Sequence, residues 1–136
     1  MSDWSVEIEN GEFSKFYLSL PEYERVVITS AITQILSKEG IGICASEWGK
    51  PLGGGLYEFR IGKSLNAISQ HAQKMSHIRT EPQAHIQVLI RIFCTFYGDK
   101  MIVIHHGYDK KRDPSHKRQQ REIAKARKIH ERWKRS

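Results

Sequence analysis

Two apolar runs separated by a three-residue break constrain the fold more than anything else in this chain. Residues 86–97 place Ile86, Val88, Ile90, Ile92, Cys94 and Phe96 at alternate positions, and residues 101–108 resume the pattern after Gly98-Asp99. Period-two alternation reads as a strand with one face buried, and so short a connection makes the two strands an antiparallel pair. The other face of the first strand holds Arg91, Phe93, Thr95 and Tyr97, because residues two apart share a side. A fold built on this hairpin needs an apolar layer to cover one side of the sheet.

Earlier segments supply that layer. Trp4, Val6 and Ile8 alternate with Ser5, Glu7 and Glu9 as a short strand, broken at Asn10-Gly11. Phe13, Phe16, Tyr17 and Leu20 recur at helical spacing, and a second helix is expected from Pro21 to about Glu39, with Ile28, Ala31, Ile32, Ile35 and Leu36 as its buried stripe. Gly40 suits the position just past its end. The short break between the two helices predicts an antiparallel helical hairpin. Residues 40–55 read as a loop. Residues 56–61 read as a strand, with Tyr57, Phe59 and Ile61 on one side and Leu56, Glu58 and Arg60 on the other. Residues 62–83 read as a loop or a short inserted helix with weak periodicity at Leu65, Ile68, Ala72 and Met75. A last helix opens at Asp113-Pro114, with Ile123, Ala126, Ile129, His130 and Trp133 as its apolar stripe. The expected order is β-α-α-β-β-β-α in one domain spanning 1–136, of the α+β class.

Charge is concentrated at one end. Residues 109–136 hold twelve Lys or Arg against four Asp or Glu, whereas the remainder holds ten against eleven, so the net +7 is local. A near-neutral body with one cationic end is the footprint of a protein that meets a polyanion. A membrane partner is not expected, since the last helix's apolar stripe carries one large aromatic and is needed for packing. No apolar run approaches the roughly 20 residues of a membrane span. Met1-Ser2-Asp3-Trp4 has no basic or apolar leader character, which points to the cytoplasm. Cys44 and Cys94 lie far apart without metal-ligand spacing, and are expected to be reduced and structural. No metal or cofactor is expected.

If the strands carrying Arg60 and Arg91 pair with their apolar faces in register, the two guanidiniums leave the same side of the sheet, where each can grip a phosphate with two hydrogen bonds. The alternative is a pair of arginines neutralised by Glu58 and other carboxylates. His105 and His106, adjacent on a strand, are expected to face opposite ways, one toward core or helices and one toward the polar face. The latter would sit beside Tyr108, Lys110 and Lys111. Gly62-Lys63-Ser64 resembles the end of a phosphate loop, but the upstream glycine such a loop requires is Tyr57 here.

Three blocks resemble the RelE/ParE toxin superfamily, in its HigB-type, phage-related branch. Leu52-Gly53-Gly54-Gly55-Leu56-Tyr57-Glu58-Phe59-Arg60 is similar to that branch's L-x-x-G-L-x-E-L-R strand. Leu89-Ile90-Arg91-Ile92-Phe93 resembles the next strand. Gly107-Tyr108-Asp109-Lys110-Lys111, Pro114 and Glu122-Ile123-Ala124-Lys125-Ala126-Arg127 resemble the closing strand, turn and helix. The chain departs from the pattern in a longer stretch between Arg60 and Arg91, and in Arg112-Asp113 after the lysines. The resemblance implies a RelE-like fold: a compact antiparallel sheet, an N-terminal helical hairpin, and helices packed on one face. It implies the toxin of a type II toxin–antitoxin system, a ribosome-dependent mRNA endoribonuclease restrained by a helix-turn-helix antitoxin. Arg60 and Arg91 would stabilise phosphate, Lys110 would be a further cation or proton donor, and His106 a base or acid. Tyr108 would stack on a base or relay a proton. Lys111, Arg112, Lys117, Arg118, Arg121 and Lys125 would contact RNA. Oligomers could form in the antitoxin complex. Two other readings stay open: a ParE-type gyrase inhibitor without enzymatic activity, and a non-toxic nucleic-acid-binding phage-related protein.

Overall fold

The computed structural model describes residues 3–9, 11–72 and 84–136. Five strands, β1 (Ser5–Ile8), β2 (Gly49–Gly53), β3 (Leu56–Ile61), β4 (Ile90–Tyr97) and β5 (Met101–Asp109), form one sheet in the order β1-β5-β4-β3-β2. The helices are α1 (Gly11–Leu18), α2 (Glu22–Ala31), α3 (Ser37–Glu39), α4 (Leu65–Ala72) and α5 (His116–Arg135). A π turn at Ile32–Leu36 joins α2 to α3, and a 3-10 segment, Gly40–Ala45, follows. The class is α+β, as the sequence pattern indicates.

Several expectations need correction. The sheet is not wholly antiparallel, because β1 pairs parallel with β5, Ser5 beside Met101 and Ile8 beside Ile104. The expected loop at 40–55 contains β2, an edge strand where Pro51, lacking an N–H, is tolerated. β4 begins at Ile90, not at residue 86, and α5 begins at His116, where the Ser115 hydroxyl accepts the Arg118 N–H at 3.1 Å. The weak periodicity after residue 62 is α4, while Met75 lies outside the described residues. Gly40 does end the helical run, at φ +53°, and the Trp4 indole occupies the space a Cβ would need.

Helices cover both faces of the sheet, not one. Phe59, Ile61, Ile90, Ile92, Cys94, Ile102 and Ile104 pack against Phe13, Val27, Ile28, Ala31, Ile35 and Leu36 in the main core. Each buried Val, Leu, Ile or Phe among them contributes about 1.5–3 kcal/mol. The run Glu22–Ala45 is long and apolar enough to cross a membrane by length and composition, yet Val27, Ile28, Ala31, Ile35 and Leu36 within it belong to this core. On the opposite face Leu56, Phe93 and Tyr108 meet Ala126 of α5, flanked by Leu52 and Ile123. Beyond the end of β1, α1 lies beside the rest of β5 and sets the Phe16 ring over Gly107, where a Cβ would come within 2.9 Å of it.

Candidate functional site

Register places the arginines. In the antiparallel ladder Arg60 of β3 stands opposite Arg91 of β4, and Arg91 stands opposite Tyr108 of β5. The neighbouring row reads Glu58, Phe93, His106. These six side chains form two cross-strand rows on the face that α5 covers in part. Lys110, two residues after Tyr108, extends the first row, its N–H bonded to the Leu89 carbonyl at 2.8 Å.

A one-residue slip builds the His106 corner. Phe93 is opposite His106 and Cys94 opposite Ile104, leaving His105 as the extra residue of a bulge. The two histidines therefore do not face opposite ways: both turn to the α5 side. His105 Nε2 lies 3.0 Å from Thr95 Oγ1, and its ring meets the His130 and Trp133 rings of α5. His106 Nε2 lies 2.6 Å from Glu122 Oε1 of α5.

Beside the arginine row, in the neighbouring one, lies a buried carboxylate. Glu58 is fully buried; its Oε1 accepts from Arg60 Nε at 2.9 Å and lies 4.0 Å from Arg91 Nε. Three buried polar atoms here lack hydrogen-bond partners: Glu58 Oε2, Arg91 Nε and the Tyr108 hydroxyl. Burial lowers the Arg91 pKa, with Glu58 opposing and Arg60 adding to the shift. Burial also raises that of Tyr108, with Glu58 adding to the effect. The Lys110 ammonium is held below its ordinary value by burial first, then by Arg91 and Arg60, against Glu58. Lys110 is thereby made a readier proton donor, and the position can take an anion and exchange a proton.

The structure gathers Arg60, Arg91, Tyr108 and Lys110, but not His106. Phe93 stacks on His106 at 5.8 Å and on Tyr108 at 6.1 Å, and those two residues line one cavity with Arg118, Glu122 and Lys125. His106 instead interacts with Glu122, Lys125 and Glu12. Tyr108 is closed to base stacking: Phe93 lies against it and the Arg118 guanidinium sits 5.3 Å from its ring centroid. Among the expected RNA contacts, Arg118 pairs with Glu122 at 2.7 Å, Lys125 with Glu12 at 3.5 Å and Arg112 with Asp109 at 3.3 Å. Lys111 Nζ donates to the Gln87 carbonyl at 2.9 Å. Lys117 and Arg121 are exposed without an ion pair among the described residues, and so are Lys128, Arg132 and Arg135, which sequence reasoning missed. Their spacing along the helix was the available signal. Glu58 was read only as a neutralising partner, although its place two residues before Arg60 put it on the same face. Among the described residues no group of three or more His, Cys, Asp or Glu is placed to hold a metal ion.

The layer between α5 and the sheet should respond to acid. Burial first, and against it the bonds to Glu9 and Glu122, leaves His105 and His106 below their ordinary value, and burial does the same to His130 with His105 adding to it. A histidine whose folded value is lowered stabilises the fold fully above about pH 6.5, and that contribution is lost as pH falls toward the folded value. Glu122 is pushed up by burial, but bonds from His106 and Arg118 hold it below its ordinary 4.5, so its contribution is lost only at lower pH. The urea midpoint is therefore expected to fall between pH 7 and 5, with a change in Trp133 emission, since Trp133 stacks on His130. A Trp133→Phe control identifies that signal, and a flat profile would contradict the reading.

Scans of the chain against protein-family models, curated proteins and solved structures give no match.

Proposed function

We propose that this chain is a RelE/ParE-type toxin of the HigB-like, phage-related branch, with a RelE-like fold, that cleaves messenger RNA on the ribosome. The observation that carries the reading is Arg60 set directly opposite Arg91, with Tyr108 completing the row and Lys110 just beyond it. Two fixed guanidiniums supply what the crowded phosphorane of RNA cleavage needs, donors already in position as charge develops. A 2′-oxygen attacks its own phosphorus in line as the P–O5′ bond breaks. The products are a 2′,3′-cyclic phosphate and a 5′-hydroxyl. Lys110, already biased toward release of its proton, protonates the departing 5′-oxygen. His106, bound to Glu122, serves to hold α5 against the sheet. A helix-turn-helix antitoxin is the proposed restraining partner and the cytoplasm the proposed compartment. Induced expression in a bacterial host, with 5′ ends mapped on cellular messages, tests this: growth arrest with cuts in translated frames is expected. Arrest without cuts would favour a ParE-type gyrase inhibitor.

A second reading, a nucleic-acid-binding protein without catalysis, is favoured by α5. Lys117, Arg121, Lys128, Arg132 and Arg135 recur at three- or four-residue steps or their sums, along ~27 Å of helix, with Ala124 between them. This ridge tracks a phosphate backbone through charge alone. Replacing Lys128 and Arg132 by glutamine is expected to reduce the salt slope of RNA binding by about 1 per residue. An unchanged slope in a filter-binding titration would remove the ridge from the interface.

A further inference from the structure

We infer that β1 and the apolar groove beside it receive an extended segment of a partner protein in which apolar and basic residues alternate. β1 is the outermost strand of the sheet, and three of its four residues are exposed. β5 takes the inner edge: the Ser5 N–H donates to the Lys100 carbonyl at 2.9 Å and the Glu9 N–H to that of Ile104 at 3.1 Å. Backbone groups of successive strand residues turn to alternate edges, so those of Val6 and Ile8 face outward, where a further strand can bond to them. Beside this edge lies a groove of about 370 Å³, lined by Ile8, Phe13, Tyr17, Leu18, Thr29 and Ile32. Leu18 is 69% exposed and Ile8 51%, the highest values for large apolar side chains among the described residues. Apolar surface left open beside an open strand edge marks an interaction site.

Charge selects the occupant. Residues 1–24 hold six Asp or Glu against Lys15 alone, in a chain of net +7, so this end repels a polyanion. Glu7 and Glu9 lie on the α5 side of β1, where the Tyr97 hydroxyl donates to Glu7 and His105 Nδ1 lies 3.1 Å from Glu9 Oε1. Val6 and Ile8 lie on the other side, Val6 against the main core and Ile8 in the groove. An added strand keeps this alternation, because paired strands share their two faces. Its residues on one face meet Glu7 and Glu9 and are lysine or arginine, since opposite charges across a strand pair are favourable. Those on the other face enter the groove and are aliphatic or aromatic. A second copy of this chain does not fit. Pairing β1 with itself brings the Glu7 and Glu9 of two copies together, which is destabilising. α5 of a second copy is basic, but its Ala126 and Ile129 are already buried in its own fold. Neither the arginine row nor α5 takes part, so this docking stands apart from RNA cleavage.

The test titrates the full chain with three synthetic peptides and follows its backbone amides by NMR. The first peptide alternates lysine and valine, the second carries glutamate in place of lysine, and the third is the first with its backbone nitrogens methylated. The first is expected to shift the Val6 and Ile8 amides and to slow their hydrogen exchange. The Ser5 and Glu9 amides, already bonded to β5, should keep their exchange rates. The glutamate and methylated peptides should each bind about tenfold more weakly or worse. Leu18→Ser should weaken the first peptide about tenfold and Glu7→Gln about threefold, with melting temperatures establishing that both variants are folded. Equal binding of the methylated peptide overturns strand addition, and equal binding of the glutamate peptide overturns the charge assignment. Val6 and Ile8 amides unmoved at millimolar peptide, or moved instead by an RNA oligonucleotide, overturn the proposal as a whole.

Discussion

Replacing Arg91 by alanine is expected to reduce RNA cleavage about 10³-fold, the loss typical when a fixed donor to a developing oxyanion is removed. Arg91 is 8% exposed and holds the middle of its row, between Arg60 and Tyr108. Lysine should recover only part of the rate, because a point charge cannot reproduce the planar fork. In cells the alanine variant should abolish both growth arrest and new 5′ ends. Single-turnover cleavage at full rate by a folded Arg91→Ala protein would contradict the assignment.

Phe93→Ala should cost about 3–5 kcal/mol of stability, the range for deleting a buried aromatic ring. Phe93 is completely buried and nearly coplanar with both of its neighbours, at 7° to Tyr108 and 13° to His106. Its ring packs against both Tyr108 and His106, and truncation leaves a cavity between them. Denaturant unfolding measures the loss. A change below about 1 kcal/mol would mean the two rows are not held by this stack.

The side-by-side arginines were legible because strand alternation and a tight hairpin leave few registers, and the apolar sets of β3 and β4 select one. The stripe of α5 was legible for the same kind of reason, and Ala126, Ile129 and His130 are buried as their spacing requires. The bulge was not. An extra residue at His105 breaks the two-residue period without adding any residue type that marks it, so both histidines fell on one face against expectation. β2 was hidden by its own composition, Gly-Lys-Pro-Leu-Gly, which is acceptable only at a sheet edge.

The parallel pairing of β1 with β5 has a consequence for biosynthesis. β1 leaves the ribosome long before the strand it pairs with, because Ser5 waits for Met101 and Ile8 for Ile104. Contacts so distant in sequence come late in folding. Any chain cut short before β5 therefore carries an unmatched N-terminal strand, together with half of an arginine row that has no Tyr108 to close it. The sheet and its charged cluster are completed in the same late step, so partial translation products of this protein should be inert as well as unfolded.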